Sequence, residues 1–266
     1  MTDSAQALRA HAADAARRSV APYSGRPVGA ALRLDDGRWT AAPRIEISAF
    51  PTTIPALIGA VALGATAGQM PVAAAQTQAF TASDLAFLAE ATGRPWRLDA
   101  PDFAVAESAG MPADASPVAL TVPAPADDAA GVAAALDAAR HAVVPASGFR
   151  VGAVAVDASG RAVRGANVEF PSDWTRGLCA ERVAVVAAHA AGLGRSCACG
   201  WRARRRRAGA RAARAGRCCR TSRRTRRSYC GTGTPRRSRR APCRPTGSRG
   251  FRPGPSSRRT RRERRP

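Results

Sequence analysis

Residues 14–30 read DAARRSVAPYSGRPVGA, and residues 137–153 read DAARHAVVPASGFRVGA. The two stretches align without a gap at an offset of 123. Asp14-Ala15-Ala16-Arg17 recurs as Asp137-Ala138-Ala139-Arg140. Pro22, Ser24, Gly25, Val28, Gly29 and Ala30 meet Pro145, Ser147, Gly148, Val151, Gly152 and Ala153. Working outward, Gly37-Arg38 meets Gly160-Arg161, and Ile45-Glu46 meets Val168-Glu169. Chance explains matched alanines in two alanine-rich segments. It does not explain proline, glycine and glutamate agreeing together, so the chain is read as two copies of one domain. The stretch VPAPADD at 122–128 has the composition of a linker. The expected division is therefore a first copy at 1–121, a second at 129–195 and a distinct tail at 196–266.

Each copy shows the order helix, strand, strand, helix. Asp14–Val20 and Val132–Val143 have helical composition, and Val28–Leu34 and Val151–Val156 read as strands bounded by turn residues. The second helix starts near Ala56 in copy one and runs from about Cys179 to Ala191 in copy two. Mixed helices and strands predict layered α/β domains. No charged residue occurs from Ile47 to Ser83, and Ile54–Gly68 is strongly apolar. A membrane span needs about 20 apolar residues. Pro51, Pro55, Gln69 and Pro71 interrupt this run, so it reads as a buried helix, with no membrane partner.

In copy two, Asn167-Val168-Glu169 is followed ten residues later by Cys179-Ala180-Glu181-Arg182. Together with the segment from Pro145 to Ala153, this resembles the cytidine deaminase family, which joins a P-Y-S-x-F-x-V-G-A segment, an N-x-E loop and a C-A-E helix start. Ala146 replaces the family tyrosine, which copy one keeps as Tyr23. The resemblance covers about 8–68 and 131–195. It implies two three-layer α/β/α domains with mixed sheets, the second truncated. The implied activity is zinc-dependent hydrolytic deamination of cytidine or deoxycytidine in pyrimidine salvage, with another aminated nucleoside left open. Cys179 would be a Zn²⁺ ligand and Glu181 the general acid/base. Asn167 and Glu169 would hydrogen-bond the ribose, and Phe149 would pack near the base. A homodimer is also implied. Taken singly, these residues have plainer readings. Cys179 could be a small buried hydrophobe and Glu181 a first-turn acid, Asn167 and Glu169 turn residues, and Phe149 a core side chain. At the offset of 123, Ala56 and Ile58 stand where copy two has Cys179 and Glu181, and no cysteine precedes Cys179. Copy one is therefore expected to be a degenerate, structural partner.

The family's later P-C-x-x-C, which supplies the other two zinc ligands, is absent. In its place, residues 196–266 hold 26 of the 42 arginines, a single acid at Glu263, and no Val, Ile or Leu. The first 195 residues carry a net charge of −2 and the tail +25. With no aliphatic residues, the tail is not expected to supply the missing strand and helix. Shifting the codon frame, with wobble bases free, lets Ala210–Gly216 read Pro-Cys-Gly-Ala-Cys-Arg. The first recovered cysteine then falls at the Arg211–Ala212 junction. The tail is accordingly read as a frameshift product that strands Cys179 without its partners and impairs this chain. At face value it is a disordered polyarginine segment able to bind nucleic-acid phosphates non-specifically. That gives the alternative of a non-catalytic protein with a nucleic-acid-binding tail. Six of the seven cysteines lie in the tail and no secretory pattern opens the chain. A disulfide framework is thus unexpected, and a reducing cytoplasm is the expected compartment.

Overall fold

The computed structural model describes residues 3–49, 52–107, 109–110, 112, 116–157, 159–193 and 202–205. In chain order these form α1 (Asp3–Arg17), β1 (Gly29–Leu34), β2 (Trp39–Pro43), α2 (Ala56–Thr66), β3 (Pro71–Gln76), α3 (Ala82–Thr92), β4 (Trp96–Ala100), β5 (Phe103–Ala106) and β6 (Thr121–Pro123). Then follow α4 (Asp128–Ala138), β7 (Val151–Val156), β8 (Arg161–Ala166), α5 (Ala180–Ala190) and β9 (Arg202–Arg205), with single 3-10 turns at Ala139–His141 and Trp174–Arg176. The helix-strand-strand-helix order of both halves is as read from the sequence.

The strands build two sheets, ordered β2-β1-β3-β5-β4 and β6-β8-β7-β9. Strand β1 is buried at every residue, because helices cover both faces of its sheet. On one face Ala5, Leu8, Ala12 and Ala15 of α1 pack on Ala31, Ala41, Ala73, Ala75 and Phe103. On the other, Ala30, Leu32, Leu34 and Ala74 meet α2 and α3. This alternation follows from the two-residue period of a strand. It also shows what the repeated Val-Gly-Ala encodes. A Cβ on Gly29 would lie 2.0 Å from the Ala12 carbonyl oxygen, and one on Gly152 would lie 1.9 Å from that of Ala135. At both places the helix backbone rests directly on the strand, and only glycine fits. The glycine of the repeated Ser-Gly has a different reason: Gly25 and Gly148 both sit at φ +63°, inside equivalent turns.

Helix α2 is apolar all round and buried from Ala56 to Gly64, as expected for a helix enclosed on all sides. It packs on its own sheet and also reaches α5 and β8, while α5 reaches β2. The two helices form a shared middle layer, and the main core runs from Leu32 and Val61 through to Val163, Val183 and Val186. Helix α4 closes the far face of the second sheet. The layered α/β class holds, with helices on both faces of each sheet. No helix among the described residues is long and apolar enough to cross a membrane.

Three expectations change. The mixed sheets are narrowed to antiparallel ladders between all described strands, with parallel pairing left to isolated bridges such as Val20–Ile45 and Val143–Val168. The short Pro101–Asp102 connection turns the chain so that β5 lies between β3 and β4, and directions alternate. Val122 and Pro123, read as linker, lie in an edge strand on β8; Pro is tolerated at such an edge. Arg202–Arg205, read as disordered tail, forms β9 against β7. Strand pairing uses backbone groups, so a run without aliphatic side chains can still add an edge strand. The rest of the tail beyond Arg205 lies outside the described residues.

Candidate active site

The site is assembled from the end of β8, the loop that follows, and the start of α5. Asn167 is buried and latches the turn before β7: its Oδ1 accepts from Val151 N at 2.8 Å, and its Nδ2 donates to the Phe149 carbonyl at 2.9 Å. Phe149 is half-buried and its amide donates to Ser147 Oγ at 3.0 Å. Glu169 grips the same turn. Its Oε2 accepts from Ser147 N at 3.0 Å and Ala146 N at 3.2 Å, and its Oε1 from the Ser147 hydroxyl. Desolvation works against this carboxylate, but the Ser147 and Ala146 donors outweigh it and hold its pKa below the usual value.

Glu46 makes the matching contacts in the first half. It accepts from Ser24 N and Tyr23 N at 3.0 Å each and from the Ser24 hydroxyl. The Ser24 hydroxyl is the leading cause of its lowered pKa. A glutamate that performs one task in both halves is doing a structural job in both, whatever else Glu169 does. The sequence signal for Ser147 is its match with Ser24 across the two halves.

Val168 joins this turn to the helix. It exchanges two backbone hydrogen bonds of 3.0 Å with Leu178, the residue before Cys179. Cys179 is then the N-cap of α5, with φ −67° and ψ 157°, and Glu181 lies in the first turn. The structure thus brings Phe149, Asn167 and Glu169 together at one turn and ties that turn to Cys179 and Glu181. The Cys179 thiol is exposed. Its pKa is nevertheless raised, first by the protein packed around it and then by the neighbouring Glu181 carboxylate, against the opposing Arg182 amide and guanidinium. Arg182, the residue after Glu181, bridges to the first half. Its Nη1 donates to the Gly177 carbonyl at 3.3 Å and its Nη2 to the Thr52 carbonyl at 3.0 Å, while its Nε is buried without a partner among the described residues.

The correspondence between halves shifts by one residue across the loop. Val20 N–Arg44 O and Val143 N–Asn167 O are related by 123 positions. The bridges Ile45–Ile54 and Val168–Leu178, the N-caps Pro55 and Cys179, and the C-caps Ala67 and Ala191 show that the loop 169–177 has gained one residue. The counterparts of Cys179 and Glu181 are therefore Pro55 and Leu57, not Ala56 and Ile58. An ungapped alignment could not register an insertion inside a loop. Neither Pro55 nor Leu57 can bind metal or move a proton, so the first half still lacks these groups.

Among the described residues no three His, Cys, Asp or Glu side chains gather as a metal site. Cys179 is the one cysteine there, and a catalytic zinc needs three protein ligands with a fourth position open. The described donors do not complete that set. The other six cysteines lie outside the described residues.

Two family models match the chain, both described as the cytidine and deoxycytidylate deaminase zinc-binding region, at residues 1–81 and 125–200. No curated protein matches. Among solved structures, cytidine deaminase from Mycobacterium tuberculosis is 30% identical over 35% of this chain and 81% of that one, with a TM-score of 0.32. A glutamate-to-glutamine mutant of that enzyme is 42% identical over 25% of this chain and 53% of that one, TM-score 0.24. A glutamate-to-aspartate mutant is 29% identical over 35% and 79%, TM-score 0.32. Zinc is the metal of the matched regions. The chain belongs to the cytidine deaminase family.

Proposed function

We propose that the second half carries the family's hydrolytic deamination of cytidine or deoxycytidine, releasing ammonia and the uridine product. The observation that supports this most is the Val168–Leu178 bridge, which sets Cys179 at a helix start with Glu181 two residues on. Cys179 is the metal ligand in this reading. Glu181 is the acid/base that takes a proton from the attacking water and passes it to the ring nitrogen and the leaving amine. Asn167 and Glu169 face the sugar, and Phe149 lies beside the base. Residues 1–121 form the non-catalytic half and 129–195 the catalytic one. A reducing cytoplasm and a homodimer complete the proposal.

In this reading the chain as written is impaired, because the family's P-C-x-x-C is absent from its sequence and Cys179 is the one cysteine among the described residues. The test is metal analysis with a cytidine deamination assay on two proteins: the chain as written, and one with the frame restored from the Ser196 codon. The first is expected to hold well under one zinc per chain and to turn over little. The second should hold one zinc and lose its turnover on Glu181→Gln. Full zinc and fast deamination by the chain as written would overturn the impairment. No deamination by the restored, zinc-loaded chain would overturn the activity.

The 26 arginines of residues 196–266 favour a second reading, non-specific binding to nucleic-acid phosphates. Binding that weakens steeply with salt and disappears when 206–266 are deleted supports it.

A further inference from the structure

The first half lacks counterparts of Cys179 and Glu181, yet one of its helices holds the loop that leads into Cys179. We propose that α3 is the positioning element of that loop, with Glu90 as its principal residue and Ser83 and Phe87 in support. This rests on reading Cys179 and Glu181 as the site.

The loop contacts α3 at two points, 82 and 93 positions away in sequence. Glu90 takes both donors of Ser172: Oε1 accepts from the amide at 2.9 Å, and Oε2 from the hydroxyl. Two turns back, Arg176 donates to the Ser83 carbonyl at 3.2 Å and to the Ser83 hydroxyl. The Arg176 guanidinium also lies 5.3 Å from the centre of the Phe87 ring, and Phe87 meets Phe170 edge-on at 4.7 Å. Inside the loop, Arg176 Nε pairs with Asp173 at 3.1 Å, so the α3 contacts and the 3-10 turn share one side chain.

Helix α3 is itself well fixed. Thr81 and Asp84 form a reciprocal capping box at its start, and Gly93 closes its end at φ 67°. Phe87 and Leu88 are buried in the main core. A rigid helix holding a carboxylate against a loop amide is a device for setting loop position. The need for one is local. The Val168–Leu178 bridge fixes the two ends of the loop but not the residues between them, and this loop is the one that gained a residue. Without α3, the extra length would leave residues 170–177, which lead into Cys179, loosely placed.

The test uses the full chain and two readouts that do not depend on turnover. One is amide hydrogen exchange across 172–178. The other is the rate at which iodoacetamide alkylates Cys179 at fixed pH, read on the peptide Gly177–Arg182 that trypsin releases. Glu90→Leu should speed both about fivefold, with exchange in β8 unchanged. Glu90→Gln, which can still accept from the Ser172 amide, should stay within about twofold of the parent. Ser172→Ala removes the loop-side hydroxyl and should give an intermediate rise, which keeps the proposal testable if Glu90→Leu does not fold. Unchanged exchange and alkylation in Glu90→Leu or Ser172→Ala would overturn the proposal. So would faster exchange with unchanged Cys179 alkylation, since the loop would then move without moving the thiol. A chain that never deaminates cytidine would overturn the proposed function and leave these two results standing.

Discussion

Replacing Gly165 by alanine tests how closely the helix bearing the site rests on its sheet. Gly165 lies in β8 and has no positive φ, so alanine meets no backbone strain there. Its added Cβ, however, would stand 2.3 Å from the Ala180 carbonyl oxygen and 2.4 Å from Ala184 N. Real Cβ atoms do not approach closer than 3.0 Å, so α5 must retreat by about 0.7 Å. Both opposing atoms are backbone, and no rotamer change can relieve them. Ala180, Val183 and Ala184 are wholly buried, and they lose contact as the helix lifts. Overpacking costs about 1–3 kcal/mol, and a rigid backbone contact belongs at the upper end, about 3 kcal/mol. For a folded unit of this size that lowers Tm by about 6–12 °C. The first half carries Ala42 at the corresponding place, and there Gly59 of α2 faces it. Thermal and urea unfolding of Gly165→Ala measure the cost, with Gly148→Ala as the control. Gly148 has φ +63° and no neighbour within 4 Å of its Cβ, so its penalty is left-handed strain alone, about 1 kcal/mol. If Gly165→Ala costs no more than Gly148→Ala, α5 is not seated backbone-to-backbone on β8 and the reasoning fails.

Acid should weaken the fold through the two turn clasps. The carboxyls of Glu46 and Glu169 both sit below the ordinary value of 4.5, so their stabilisation is complete above that pH and is lost as pH falls through the lowered folded values. Tm measured from about pH 6 down to about pH 3 should fall, and the Glu46→Gln, Glu169→Gln double variant should flatten the slope below about 4.5; an unchanged slope refutes the clasps. Thr81→Ala removes the α3 cap and should cost about 1 kcal/mol in urea unfolding, with no measurable loss counting against the capping box.

Much of the fold was legible because local chemistry repeats along the chain. The paired Val-Gly-Ala and Ser-Gly segments announce the doubled domain, while their physical reasons, a helix seated on a strand and a glutamate clasping a turn, emerge from the structure. Each signal sits within a short window and recurs at one spacing. The all-apolar stretch before Gly68 likewise announced a buried helix, since no amphipathic surface helix has that composition. The candidate site was legible in part. Cys179, Glu181, Asn167, Glu169 and Phe149 stood out by type and spacing. The inserted loop residue did not, and it changes which first-half residues face Cys179 and Glu181 as counterparts.

The sequence by itself determined that the domain is doubled, that only the second copy keeps the cysteine and acid, and that arginine is concentrated past residue 196. Those properties are carried by residue types read in order. The tertiary structure alone decided that α2 and α5 share one layer, that Arg202–Arg205 adds an edge to the second sheet, and that α3 of the first half contacts the loop before Cys179. These depend on groups about a hundred positions apart, such as Ser172 with Glu90 and Arg182 with Thr52. Serine, glutamate and arginine side chains leave no periodic trace in a sequence. Their partners are defined only when packing of the apolar layers has set the distances between them.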